Sequence, residues 1–199
     1  MILMDATPII FLAKINRLDL LLALGLPIFL TKEVEYETTT KQAVKENRDQ
    51  NNKEKLIAKF FADQTRLKRL LKRLFIIKTI VCEIVEQKRK ENPNYHSSGD
   101  GEVASNSLFL NRKNYGIDGP ALLLYEDTDT KAVFKNEDVY FLTTYGLLVA
   151  MEKKGHIESA NEEWKLLNLQ YENFIAPNYE DLSNREDTEY IINQPTYFK

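Results

Sequence analysis

The residues most able to do chemistry in this chain are acids, and they recur at similar places along it. Asp5 ends a short apolar start, Met1-Ile2-Leu3-Met4, and is followed by Ala6-Thr7-Pro8. An apolar run that delivers a carboxylate into a turn, with Thr and Pro opening a helix, reads as a strand-to-helix junction. Open α/β folds place ligands at such junctions, outside the carboxyl ends of the strands. Glu37, Asp100 with Glu102, and Glu126 with Asp127 stand in comparable settings. Acids drawn from distant sequence to one sheet edge point to a hard divalent cation held by oxygen ligands.

Composition narrows the alternatives. Cys82 is the only cysteine and His96 and His156 the only histidines, which argues against a disulfide frame, a cysteine zinc cluster or a transition-metal site. At 199 residues and 43% hydrophobic content, the chain reads as one globular domain with room for an appendage. Its longest apolar stretch, 20–30, contains Gly25 and Pro27 and is too short to span a bilayer. With no signal peptide recognised, the expected location is cytoplasmic and away from membranes. The net charge of −3 is unevenly spread. Residues 41–90 hold 15 Lys and Arg against 6 Asp and Glu, a local +9 that leaves −12 elsewhere. A basic segment beside acids suits a polyanionic partner, although a solvated helical face has the same composition.

The elements that must position the acids follow from pattern. Strands are expected at 2–4, 27–30, 75–79, 121–124 and 139–143. Helices are expected at 8–14, with Thr7 as N-cap and Pro8 first, and at 18–24, from Thr31 through Glu37, 53–74, 81–91, 101–112, 128–134 and 145–154, and around Trp164. Leu56, Phe60, Leu67, Leu70, Leu71 and Leu74 give the 53–74 helix its apolar stripe. Asp100 is expected to cap the helix after it. Strands alternating with helices predict an α/β fold of three layers, a central parallel sheet flanked by helices, with a helical basic insertion at 41–98. Residues 1–165 are expected to form the domain and 166–199 a C-terminal helix and tail.

Five blocks, in order, resemble PIN-domain nucleases: D-A-T-P-I-I-F-L-A-K (5–14), E-V-E-Y-E (33–37), G-D-G-E-V-A (99–104), L-L-L-Y-E-D-T-D-T-K-A (122–132) and L-T-T-Y-G-L-L-V-A-M-E-K-K-G-H-I (142–157). The likeness covers 1–40 and 99–160. It selects Asp5, Glu37, Glu102, and Glu126 with Asp127, as the catalytic acids. Asp5, Glu102, Glu126 and Asp127 are the implied metal ligands, with Mg²⁺ or Mn²⁺ as cofactor. Glu33, one turn before Glu37, is its rival. Where the family carries a D-D pair this chain has Glu126-Asp127, so Glu126, Asp127 or Asp129 is the fourth acid. Thr7, Thr144 and Lys131 fall where substrate or water is positioned.

The resemblance implies a divalent-metal-dependent endoribonuclease cutting single-stranded RNA. Two ions roughly 3.5–4 Å apart clamp the attacking and leaving oxygens of such a displacement. Small bacterial relatives of this type imply a toxin with an antitoxin protein and a homodimer, although the residues themselves name no partner. Arg66, Lys68, Arg69, Lys72 and Arg73 are candidates to hold the RNA backbone; the same segment also suits a dimer or antitoxin interface. His96 and Tyr95 read more simply as loop and packing residues. A phosphohydrolase with Asp5 as nucleophile would want an acid at position 7, which is Thr. The alternative function is a non-catalytic module of the same fold that binds RNA or protein.

Overall fold

The structure is a computed structural model that describes residues 1–41, 52–66, 73–95, 99–126, 130, 133–134 and 138–169. Its frame is a five-stranded sheet: β1 (Ile2–Met4), β2 (Ile28–Thr31), β3 (Leu74–Ile77), β4 (Ala121–Leu124) and β5 (Val139–Leu142). The order is β3-β2-β1-β4-β5 and every pairing is parallel. β1 thus sits at the centre. The chain builds outward to one side through β2 and β3, then crosses back to build β4 and β5 on the other. That places a topological switch between β1 and β4, where the connections diverge and leave a crevice at the carboxyl ends.

Parallel strands read as continuous apolar runs because helices cover both faces, and here alternate residues divide between two cores. Ile2, Met4, Ile28, Leu30, Leu122, Leu124 and Leu142 face one way, onto α1 (Ala6–Lys14), α2 (Asp19–Ala23) and the later helices Asn52–Arg66, Thr144–Lys153 and Ala160–Leu169. Leu3 and Leu123 face the other way, with Leu108 and Phe109 of the helix Asp100–Leu110. Three layers follow directly from this alternation.

Between the strands run α3 (Lys32–Tyr36), capped by the Thr31 hydroxyl, and α4 (Asn52–Arg66). After β3 come α5 (Ile80–Glu91) and α6 (Asp100–Leu110), packed on each other. A 3-10 turn, Arg112–Tyr115, leads to β4. α7 (Thr144–Lys153) and α8 (Ala160–Leu169) close the described chain. Trp164 and Leu167 of α8 are buried in the first core, so residue 165 falls within a packed helix. Among the described residues no helix is long and apolar enough to cross a membrane.

Several expectations need correction. The first helix begins at Ala6, and its N-cap is Asp5 instead of Thr7, which moves Pro8 to the third helical position. Asp100 is the first residue of α6 and does not cap it; Gly99, at φ +93°, occupies the cap position. The helix expected over 53–74 does not reach Leu74, which opens β3 and pairs with Ile28, nor Arg73, the residue before that strand. Its deepest residues are Ile57 and Phe61, with Leu56 and Phe60 packed at the edge of the core. Leu67, Leu70 and Leu71 lie outside the described residues, as does most of the helix expected over 128–134.

Candidate functional site

Asp5 is the first residue beyond β1, and its N–H still donates to the Leu124 carbonyl at 2.9 Å, extending the β1–β4 ladder by one step. One carboxylate oxygen accepts the Ala6 N–H at 2.7 Å, which caps α1. The side chain is only 6% exposed. Burial pushes its carboxyl up from 3.8 to about 7. The negative charge of Glu102, and more weakly that of Glu37, pushes the same way, while the Ala6 and Thr7 amides pull it down. Thr7 therefore serves Asp5 through its backbone.

Glu102 reaches this neighbourhood from the first turn of α6, where the helix dipole favours a carboxylate. Glu37 arrives from the C-terminus of α3. There the chain widens into a π turn, Glu37–Lys41. The Thr38 hydroxyl donates to the Val34 carbonyl at 2.8 Å and the Thr39 hydroxyl to that of Glu35 at 2.7 Å. Such hydroxyls compete with the backbone ladder, and π turns of this kind recur at functional sites. The E-T-T-T run at 37–40 is the sequence signal for this turn, one that helical periodicity does not register. Glu33, the rival to Glu37, is committed elsewhere. It is 3% exposed and ion-paired to Arg89 at 2.5 Å, and the Arg89 guanidinium also stacks on Tyr36, 3.9 Å from the ring centre.

Glu126 stands two residues beyond β4, across the switch from Asp5. It accepts the Thr144 N–H at the start of α7 at 2.7 Å. Burial raises its carboxyl above the usual range and Thr144 restrains the shift. The Thr144 hydroxyl lies beside this carboxylate but off hydrogen-bonding geometry. Thr143 caps α7 by accepting from Gly146 N–H at 3.0 Å. The structure thus brings Glu37 and Glu102 within electrostatic reach of Asp5. Glu126 lies at the same sheet edge, bound to the α7 N-terminus.

Asp127, Asp129, Lys131 and His96 lie outside the described residues, with Lys68, Arg69, Lys72 and the Arg66 side chain. Arg73 is half-buried beside β3, and its carbonyl accepts the Ile28 N–H at 2.7 Å. Tyr95 lies under the Lys88 ammonium, 5.3 Å from the ring centre. A hollow of about 390 Å³ between α3 and α5 is lined by Tyr36, Thr39, Cys82 and Arg89 among others; Asp5, Glu102 and Glu126 are not part of it.

A family model described as a PIN domain (DUF3368) matches residues 1–179. The chain belongs to this PIN-domain family. No curated protein and no solved structure gives a significant match. Membership points to nuclease-type function and, as is typical of PIN domains, to divalent metal. The donors at this sheet edge fit such an ion in kind: they are carboxylate oxygens, buried at Asp5 and half-buried at Glu37, Glu102 and Glu126, with Glu102 and Glu37 repelling Asp5, and Asp100 keeps one buried carboxylate oxygen without a partner. They do not form a finished cage, since among the described residues no three Asp, Glu, His or Cys side chains close around a point that would hold a metal.

Proposed function

We propose that this PIN-domain chain is a Mg²⁺- or Mn²⁺-dependent endoribonuclease acting on single-stranded RNA. The observation that carries the reading is the buried Asp5 carboxylate, coupled to Glu102 and Glu37 at the β1–β4 switch. Placing like charges together in a low-dielectric crevice costs folding energy, and a cation relieves it.

Asp5, Glu102 and Glu126, with Asp127 from the segment after Glu126, would hold the metal. When bound, the ion supplies an activated water and neutralises charge on the attacked phosphate. The chain's own residues do the rest. Asp5 is fixed by the Ala6 amide and Glu126 by the Thr144 amide, so neither ligand has to search for its rotamer. Glu37 stands beside Asp5 as the acid placed to accept a proton from the attacking water. Thr7 and Thr144 orient ligand carboxylates through their amides, and Lys131 is proposed to steady the phosphate. Arg66, Lys68, Arg69, Lys72 and Arg73 would hold the RNA backbone, which the acids alone repel. An antitoxin partner and a homodimer rest on the resemblance alone.

The test is cleavage of single-stranded RNA with Mg²⁺ or Mn²⁺ against EDTA, using the Glu102→Gln variant as control. Divalent-dependent cleavage lost in the variant supports the reading; cleavage indifferent to EDTA sinks it. A non-catalytic module of the same fold is the second reading. It is favoured by Glu at 126 in place of Asp, and it predicts RNA or protein binding with no cleavage under any metal.

A further inference from the structure

Gly101 is buried in the first turn of α6, at an ordinary helical position that any residue adopts. Its need for a missing side chain comes from outside the helix. A Cβ built there would sit 2.6 Å from Glu37 Oε2 and 3.3 Å from Glu37 Cδ, with Val34 Cγ2 at 3.5 Å. The first two separations are too close for real atoms or nearly so; the third is ordinary contact. The Glu37 carboxylate therefore occupies the room that a side chain at 101 would fill. Val34, one turn earlier on α3 and fully buried, forms the back wall of the same recess.

We infer that Gly101 is a positioning residue for the acid site: by lacking a Cβ it lets α3 and α6 approach until Glu37 rests on the first turn of α6, the turn that carries Glu102. The placement has a second benefit, because a carboxylate against a helix N-terminus meets the positive end of the helix dipole. The atom that a methyl group would strike is the tip of a flexible side chain. Glu37 would swing away while the helix stays formed, and Ala is itself the better helix former. A purely structural role for Gly101 and a positioning role thus predict different outcomes. If the glycine only serves packing, Gly101→Ala alters the melting temperature and leaves the response to metal alone. If it seats Glu37, the fold persists and the metal response weakens.

The inference rests on the metal-dependent reading above. Its test is a Mn²⁺ titration followed by the melting temperature, on wild type, Gly101→Ala and the double variant Gly101→Ala/Glu37→Asp. The shorter Asp withdraws its carboxylate by one methylene and makes room for the Cβ. Moving a group that supports a metal's ligands weakens binding by about ten- to a hundred-fold. The titration midpoint of Gly101→Ala is accordingly expected to rise by at least about tenfold, and that of the double variant to return toward wild type. An unchanged midpoint in Gly101→Ala overturns the inference. If Gly101→Ala melts early in chelator, the double variant decides: recovery of melting and midpoint together upholds the inference, and recovery of melting alone overturns it. A wild type that shows no response to Mn²⁺ sinks the metal-dependent reading along with it.

Discussion

Asp5→Asn should make the metal-free protein more stable, by an amount that depends on pH. Asn caps a helix about as well as Asp, so the bond to the Ala6 amide has a substitute and the charge is the only large loss. The Asp5 carboxyl titrates near 7 when folded, against 3.8 for a free side chain. A group raised in this way contributes stability that is fully present below the unfolded value and is lost as pH rises through the folded one. The gap is about 3 units, and at about 1.4 kcal/mol per unit it amounts to about 4 kcal/mol once the group is fully ionised. At about pH 5 the linkage relation gives less than half of that cost. Urea melts in EDTA, run at steps from about pH 5 to 8, should show the variant gaining on wild type by about 2 kcal/mol or more across the range. Added Mn²⁺ should narrow the gap, since a ligand at about a hundred times its Kd stabilises the binding form by about 2.7 kcal/mol, most of the cost of the ionised carboxylate. A pH-independent difference, or a variant less stable than wild type near neutrality in EDTA, would refute the reasoning.

Arg89→Ala strands the nearly buried Glu33 without its partner and should cost about 3 kcal/mol or more in a urea melt; Arg89→Lys should recover little, because an ammonium does not reproduce the guanidinium stacked on Tyr36. Thr143→Ala removes the acceptor for the Gly146 amide and should lower stability by about 1 kcal/mol, read by thermal denaturation. Replacing Arg69, Lys72 and Arg73 together by Ala should weaken single-stranded RNA binding and flatten the slope of log affinity against log salt by about 2, at about 0.7 per lost phosphate contact. Unchanged RNA affinity with an altered oligomeric state would instead assign these residues to an interface.

The acids were legible in the sequence to the degree that local pattern decides local structure. β4 spans Ala121–Leu124, the four-residue apolar run that announces it. Thr31 caps α3 as its type suggests. The choice of Glu37 over its rival Glu33, one turn earlier on the same helix, rested on the family resemblance and not on local pattern. Cap positions were less legible, because adjacent residues compete for the same amides. Asp5 outcompetes Thr7 for the α1 N-terminus, and in G-D-G the glycine takes the left-handed turn at 99, leaving Asp100 inside the helix. The helix expected through Leu74 fails because Leu74 pairs with Ile28, a partner 46 positions earlier that periodicity does not register. The commitment of Glu33 to Arg89 and the seat that Gly101 makes for Glu37 are likewise facts of chain approach, invisible to any window of sequence.

Asp5, Glu102 and the acids after β4 are proposed to share a divalent ion. A crystal soaked in Mn²⁺ and measured at the manganese edge tests it most directly. An anomalous peak is expected at the carboxyl edge of β1 and β4, within about 2.0–2.4 Å of carboxylate oxygens from Asp5 and from at least one of Glu102, Glu126 and Asp127. Manganese bound only at other sites, with Asp5 still bonded to the Ala6 amide and no ion beside it, would overturn the shared-ion site.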